Sequence, residues 1–150
     1  MADLNLVELS ASTIVAVNNL SLKPGQEQFL APISYGIQAA VVNPATSWQR
    51  VVLDGDEVVG FVSASFDHEA PEDYFRSVVL RINVDADDQG RGIGRFAIES
   101  LLDEARARGE ERVHVIYEEG EEGPEAFFHR MGFTPVAETE FGEVVAAHVL

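Results

Sequence analysis

From Ile93 onward the apolar residues recur four apart: Ile93, Ala97, Leu101 and Ala105, with Ile98 and Leu102 widening the stripe until Gly109 stops it. That spacing lays them along one face of a helix, which must be buried against another element. Just before the helix stands Gln89-Gly90-Arg91-Gly92-Ile93-Gly94-Arg95, and before that an apolar strand, Tyr74 to Val84. Glycines at such a turn let the backbone approach a ligand closely. The first N–H groups of the helix point outward unpaired, with the positive end of the helix dipole behind them. The junction is therefore an anion site by construction. A Walker loop is excluded because the lysine it requires is missing, and the dinucleotide fingerprint would need glycine where Arg95 stands. The turn alone would serve as a helix cap; Arg91 and Arg95, two of only ten cationic side chains, tilt the reading to phosphate.

The remaining segments complete an α/β chain. Residues 4 to 9 read as a strand, and the hydroxyls of Ser10 to Thr13 can cap a helix through Ile14, Val15, Val17 and Leu20. A second short helix is expected after Ser34, ending before Pro44. Trp48 to Leu53 and Glu57 to Phe66 are rich in valine and aromatics, and Asp54-Gly55-Asp56 between them suits a tight hairpin. Asp67 to Asp73 is a polar loop. Arg112 to Tyr117 is a strand, Pro124 to Met131 a short helix ended by Gly132, and Phe133 to Ala137 and Val144 to Leu150 are closing strands. The order β-α-α-β-β-β-α-β-α-β-β predicts a mixed, mostly antiparallel central sheet flanked by helices. No repeat or composition shift divides it, so 1–150 is read as a single domain.

Charge and composition bound the partners. At 46% hydrophobic and 24% charged the chain matches ordinary soluble domains, and no apolar run approaches a bilayer span. The expectation is a cytoplasmic protein with no membrane association. With no cysteine and four scattered histidines, thiol chemistry is excluded and no metal-ligand spacing is present. A net charge of -16 disfavours nucleic acid as a partner and gathers cations, which suits a polyamine or basic peptide, although acidic surfaces that serve only solubility are commoner.

Gln89, Gly92 and Gly94 fit a pattern of Gln or Arg, two residues, Gly, one residue, then Gly or Ala at the start of a central helix. On these residues, and on its order of elements, the chain resembles the GCN5-related N-acetyltransferases. Leu22-Lys23-Pro24, Gln26, Phe29-Leu30-Ala31-Pro32, Arg81, Pro124-Glu125, Met131-Gly132-Phe133 and Gly142 to Val145 further resemble the diamine and spermidine acetyltransferase-like members. The resemblance implies acetyl-CoA as cosubstrate, with amides from Gly90 to Arg95, together with Gln89, around the pyrophosphate. It also implies that main-chain groups of Ile82, Asn83 and Val84 pair with the pantetheine arm as an added strand. The reaction implied is attack of a neutral amine, preferably of a polyamine or diamine, on the thioester in a ternary complex. Acetylation of a protein or peptide amino terminus, or CoA binding with little turnover, are the alternatives. A homodimer is admissible.

The tyrosine that protonates the CoA thiolate in many members falls here on Phe128, and the asparagine seven residues earlier is Glu121. Tyr117 and His129 are the other proton-transfer candidates, each with a plainer reading as an edge aromatic and a solvated helix residue. Asp67, Glu69, Glu72 and Asp73 are carboxylates suited to accept a proton through water or to attract a cation. Arg81, an arginine inside an apolar strand, is expected either in a structural ion pair or in the wall of the active site.

Overall fold

A computed structural model describes residues 4–18, 46–70, 73–84, 92–117, 125–139 and 142–150. Seven strands form one sheet: β1 (Leu4–Glu8), β2 (Ser47–Asp54), β3 (Glu57–Phe66), β4 (Ser77–Val84), β5 (Arg112–Tyr117), β6 (Thr134–Glu138) and β7 (Val144–Val149). Their order is β1-β2-β3-β4-β5-β7-β6, with every neighbouring pair antiparallel except β4 and β5. Three helices are described: α1 (Ile14–Asn18), α2 (Ile93–Ala107) and α3 (Glu125–Arg130). The mixed, mostly antiparallel sheet with helices is the fold that the element order predicts. The second short helix expected after Ser34, and the turn residues Gln89, Gly90 and Arg91, lie outside the described residues.

Helix α2 buries the predicted stripe, Ile93, Ala97, Ile98, Leu101, Leu102 and Ala105, against the sheet. Its near end sits close because Gly60 of β3 offers no side chain: a Cβ there would meet Ile93 Cγ2 at 3.2 Å and the Asn83 carbonyl at 3.1 Å. Phe128 and Phe133 join the same core from α3 and the turn that follows it. On the opposite face a smaller cluster forms around Val78, Ile116 and Val145 with Tyr74, Phe75 and Leu80.

Two boundary shifts take aromatic residues out of the strands expected of them. Tyr74 and Phe75 do not begin β4; Asp73–Phe75 is a 3-10 turn. The two rings pack edge to face at 4.8 Å, and the Arg76 Nε–H donates to the Ala70 carbonyl at 2.8 Å, closing the loop before the strand starts. Phe133 does not open β6, because its N–H donates to the Phe128 carbonyl at 3.0 Å and so ends α3, with Gly132 at φ 93° supplying the left-handed residue this cap needs.

The sheet has one weak join. Between β4 and β5 the register holds only Val78 with His114 and Val79 with Val115. On the other side of β4, Ser63 pairs with Arg81 and Ala64 with Val79, which leaves Leu80 as an extra, bulged residue. Past Val79 the two strands run on without pairing each other, and a gap opens in the sheet at the bulge.

Candidate active site

The gap, the start of α2 and the face of α3 border one cavity of about 820 Å³. Gly92, Ile93, Gly94 and Arg95 line it from α2, Ile82 and Val84 from β4, and Phe127 and Met131 from α3 and its end. Gly92 is the N-cap residue in the left-handed conformation, φ 80° and ψ 12°, and it makes no side-chain cap. No acidic residue occupies the first turn of the helix. The residues of the first turn of α2 line the cavity, and their N–H groups meet no capping side chain among the described residues, at the positive end of a 15-residue helix. Among the described residues nothing lies within 4 Å of a Cβ built on Gly92. At Gly94 the missing side chain lets Phe127 approach, since a Cβ would meet its ring at 3.2 Å.

Arg95 lines the same mouth, but its Nε–H donates to Glu99 Oε1 at 2.8 Å on the next turn of its own helix. That hydrogen bond, and then the carboxylate charge, raise the Arg95 pKa. Arg106 is likewise held by Asp103 at 2.9 Å, whereas Arg130, also in the lining, is in no ion pair among the described residues. Two carboxylates therefore offset cationic charge at an opening that the sequence marks for an anion, and among the described residues the amides of the first turn and Arg130 are its remaining positive elements.

The sequence-predicted residues separate in space. Ile82, Val84, Gly92, Ile93, Gly94 and Arg95 come together around the cavity, and Asn83 lies between two of them on β4. Arg81 does not line the cavity. Beyond the bulge it is exposed rather than enclosed by the apolar strand, and it joins no ion pair among the described residues. Phe128, the position implied for a catalytic tyrosine, is 1% exposed and sits in the core. Its ring stacks on Tyr117 at 6.2 Å and meets Phe127 and Phe133 edge to face at 5.1 and 5.4 Å. Phe127, one residue earlier, is the aromatic that reaches the cavity. Tyr117 is also buried, at the end of β5, an interior strand, rather than the edge aromatic of its plainer reading, and His129 is exposed. Of the loop carboxylates, Asp73 is exposed and 3.8 Å from Arg76, Asp67 accepts the Glu69 N–H at its Oδ1, and Glu72 lies outside the described residues.

His148 is a lining residue that sequence reasoning missed. It lies in β7 with Nδ1 buried and without a hydrogen-bond partner, and its ring packs on Phe133 at 5.5 Å. The only signal was one polar residue in the apolar run Val144 to Leu150. Among the described residues no group of three or more His, Asp or Glu is placed to hold a metal, and no helix is long and apolar enough to cross a membrane.

An uncapped helix start beside a parallel strand pair that parts at a bulge is the geometry against which the comparisons fall. The acetyltransferase (GNAT) family model matches residues 17–133. The chain belongs to the GNAT acetyltransferase family. GNAT enzymes use acetyl-CoA as acetyl donor. Over 96 residues the chain is 41% identical to a mycothiol acetyltransferase of Beutenbergia cavernae, a match covering 63% of this chain and 30% of that relative's length. Among solved GNAT structures, a PaiA N-acetyltransferase from Thermoplasma acidophilum in complex with coenzyme A superposes with a TM-score of 0.73 at 10% identity, covering 99% of both chains. The ribosomal-protein-S18-alanine N-acetyltransferase of Escherichia coli gives 0.69 at 16% identity over 97% of this chain and 93% of that one. At such identities these structures establish the GNAT fold. These matches do not establish the expected diamine and spermidine subgroup.

Proposed function

We propose that this chain transfers the acetyl group of acetyl-CoA to the primary amine of a small molecule, by direct attack in a ternary complex. The observation that carries the reading is the uncapped start of α2 opening into a cavity beside the gap between β4 and β5. In this assignment the amides of Gly92 to Arg95 hold the pyrophosphate, together with Gln89, Gly90 and Arg91 of the preceding turn. The main-chain edge of Ile82, Asn83 and Val84 on the side away from β3 pairs with the amide-bearing pantetheine arm, which enters the sheet as the strand that β5 does not supply. The thioester then lies at the bulge, where a main-chain N–H near Leu80 is released from regular pairing and donates to the developing oxyanion.

The amine must arrive neutral. Its ordinary pKa is near ~10, so a proton leaves to solvent before attack. The nitrogen lone pair then forms the C–N bond while the carbonyl pair moves to oxygen. Collapse of that intermediate breaks the C–S bond, the nitrogen gives up its second proton to water, and the CoA thiolate takes one up. Phe128 has no proton to give, and its side chain is core. We assign the donor role to the Tyr117 phenol, at the end of β5 against Phe128. Loss of such an acid costs part of the ~10²- to 10⁴-fold typical of general acid–base catalysis.

The test is CoA release from acetyl-CoA with a panel of diamines, amino acids and peptide amino termini, alongside calorimetric titration of acetyl-CoA. Turnover of small amines above peptides supports the reading. The buried Phe128 favours a second one, CoA binding with little turnover, and acetyl-CoA binding with no CoA release from any amine would establish that instead. The diamine and polyamine preference rests on the net charge of -16 and the subgroup resemblance alone.

A further inference from the structure

Beside the gap, β4 presents two faces. Ile82 and Val84 turn to the α2 side and line the cavity. Arg81 and Asn83 alternate with them and lie on the other face, beside their β3 partners Ser63 and Phe61. Two polar groups on that face are without partners. Arg81 is exposed, directly follows the bulged Leu80, and joins no ion pair among the described residues. Of the other described arginines, Arg50, Arg76, Arg95, Arg106 and Arg108 each hold a carboxylate, and Arg112 and Arg130, which likewise join no ion pair among the described residues, lie on β5 and α3 rather than on β4. The Asn83 Oδ1 is buried with no donor, a condition that costs free energy until a donor enters.

In a chain whose acidic residues outnumber its basic ones 26 to 10, an unpaired guanidinium at the reaction gap makes a local field opposite in sign to the molecule's. Its planar fork matches a carboxylate. We propose that the acceptor is a primary amine that also carries a carboxylate, an amino-acid-like molecule whose carboxylate pairs with Arg81 and whose N–H donates to Asn83 Oδ1. This rests on the acetyl transfer proposed above and narrows its acceptor away from diamines. A second ammonium placed at Arg81 meets a like charge at close range, whereas the overall acidic field acts on encounter from a distance.

The experiment compares kcat/KM for a series of ω-amino acids and the diamines of matched length, in the wild type, Arg81→Gln and Arg81→Lys, with acetyl-CoA affinity as the control. The wild type is expected to favour the amino acids by about tenfold or more, the scale of one charge-assisted hydrogen bond. Arg81→Gln is expected to collapse that ratio through KM, and Arg81→Lys to restore part of it. A wild-type preference for diamines, or a ratio unmoved by Arg81→Gln, overturns the proposal. A calorimetric arm titrates the amino acids into the CoA-loaded protein and needs no turnover: affinity lost in Arg81→Gln supports the carboxylate site even if acetyl transfer fails, and equal affinity overturns it. Failure of acetyl-CoA itself to bind would instead strike the reaction proposed above.

Discussion

Helices α2 and α3 face the same cavity and contribute to it in different ways. Helix α2 presents backbone: an uncapped first turn in which Gly92 and Gly94 carry no side chain to obstruct the approach. Helix α3 presents side chains, and on a helix of six residues their phase decides everything. Phe127 reaches the cavity while Phe128 stacks on Tyr117 in the core. A site made of main-chain groups tolerates variation in the side chains around it. A site made of one side chain on a short helix changes role when the helix turns by one residue.

The largest effect should come from breaking the backbone half. Gly92→Asp places a charged side chain at a left-handed residue where the pyrophosphate is assigned, and acetyl-CoA binding should fall below calorimetric detection in a folded protein. Gly92→Asn, without the charge and better suited to the left-handed region, should retain more affinity. Unchanged binding in both would remove the contrast between the two helices.

Next comes the core half. Tyr117→Phe removes only the phenolic oxygen and should lower kcat by about 100-fold while the acetyl-CoA affinity stays constant. An unaltered kcat would show that water supplies the proton.

Phe128→Tyr sharpens the comparison from the other side. A hydroxyl added at a 1% exposed position lacks room and partners, and should cost about 1–3 kcal/mol without raising kcat. In a chain of this length that lowers Tm by roughly 2–4 °C per kcal/mol. A stable, faster variant would place position 128 at the sulfur after all.

The smallest effect lies where the two halves join. His114 donates from Nδ1 to the Ser77 carbonyl at 3.3 Å, and burial lowers its pKa from 6.5 against the opposing influence of that bond and of Asp73. The unfolded chain therefore takes up this proton first as pH falls. The stability tied to the neutral ring is complete above about pH 6.5 and is lost as pH drops through the lowered value. His114→Gln should flatten that part of the stability curve, read by chemical denaturation at a series of pH values, by less than about 1 kcal/mol.

What was legible in the sequence follows the same division. The periodic stripe of α2 and the hairpin around Gly55 repeat a local rule over enough residues to be read directly, and β5 occupies the predicted residues 112–117. The gap was not legible, because a bulge at Leu80 is a matter of register against Ser63 and Ala64, set by tertiary pairing. That bulge is also why Arg81 escapes the apolar interior that its neighbours suggest. Tyr74 and Phe75 have the composition of a strand, yet pack on each other in a turn. His148 reaches the cavity only because β7 lies two strands from β4 in the folded sheet.

Two register pairs join the half of the sheet holding β1 to β4 to the half holding β5, β7 and β6. Such a seam makes the molecule's rigidity a borrowed property. A ligand arm laid along the β5 side of β4 would stitch the halves together, so those main-chain amides between Leu80 and Asn83 that point away from β3 should exchange with solvent quickly in the free protein and slowly in the loaded one. The gain in stability then tracks the ratio of ligand concentration to its dissociation constant. Inside a cell the lifetime of such a protein would rise and fall with the supply of its own acetyl donor.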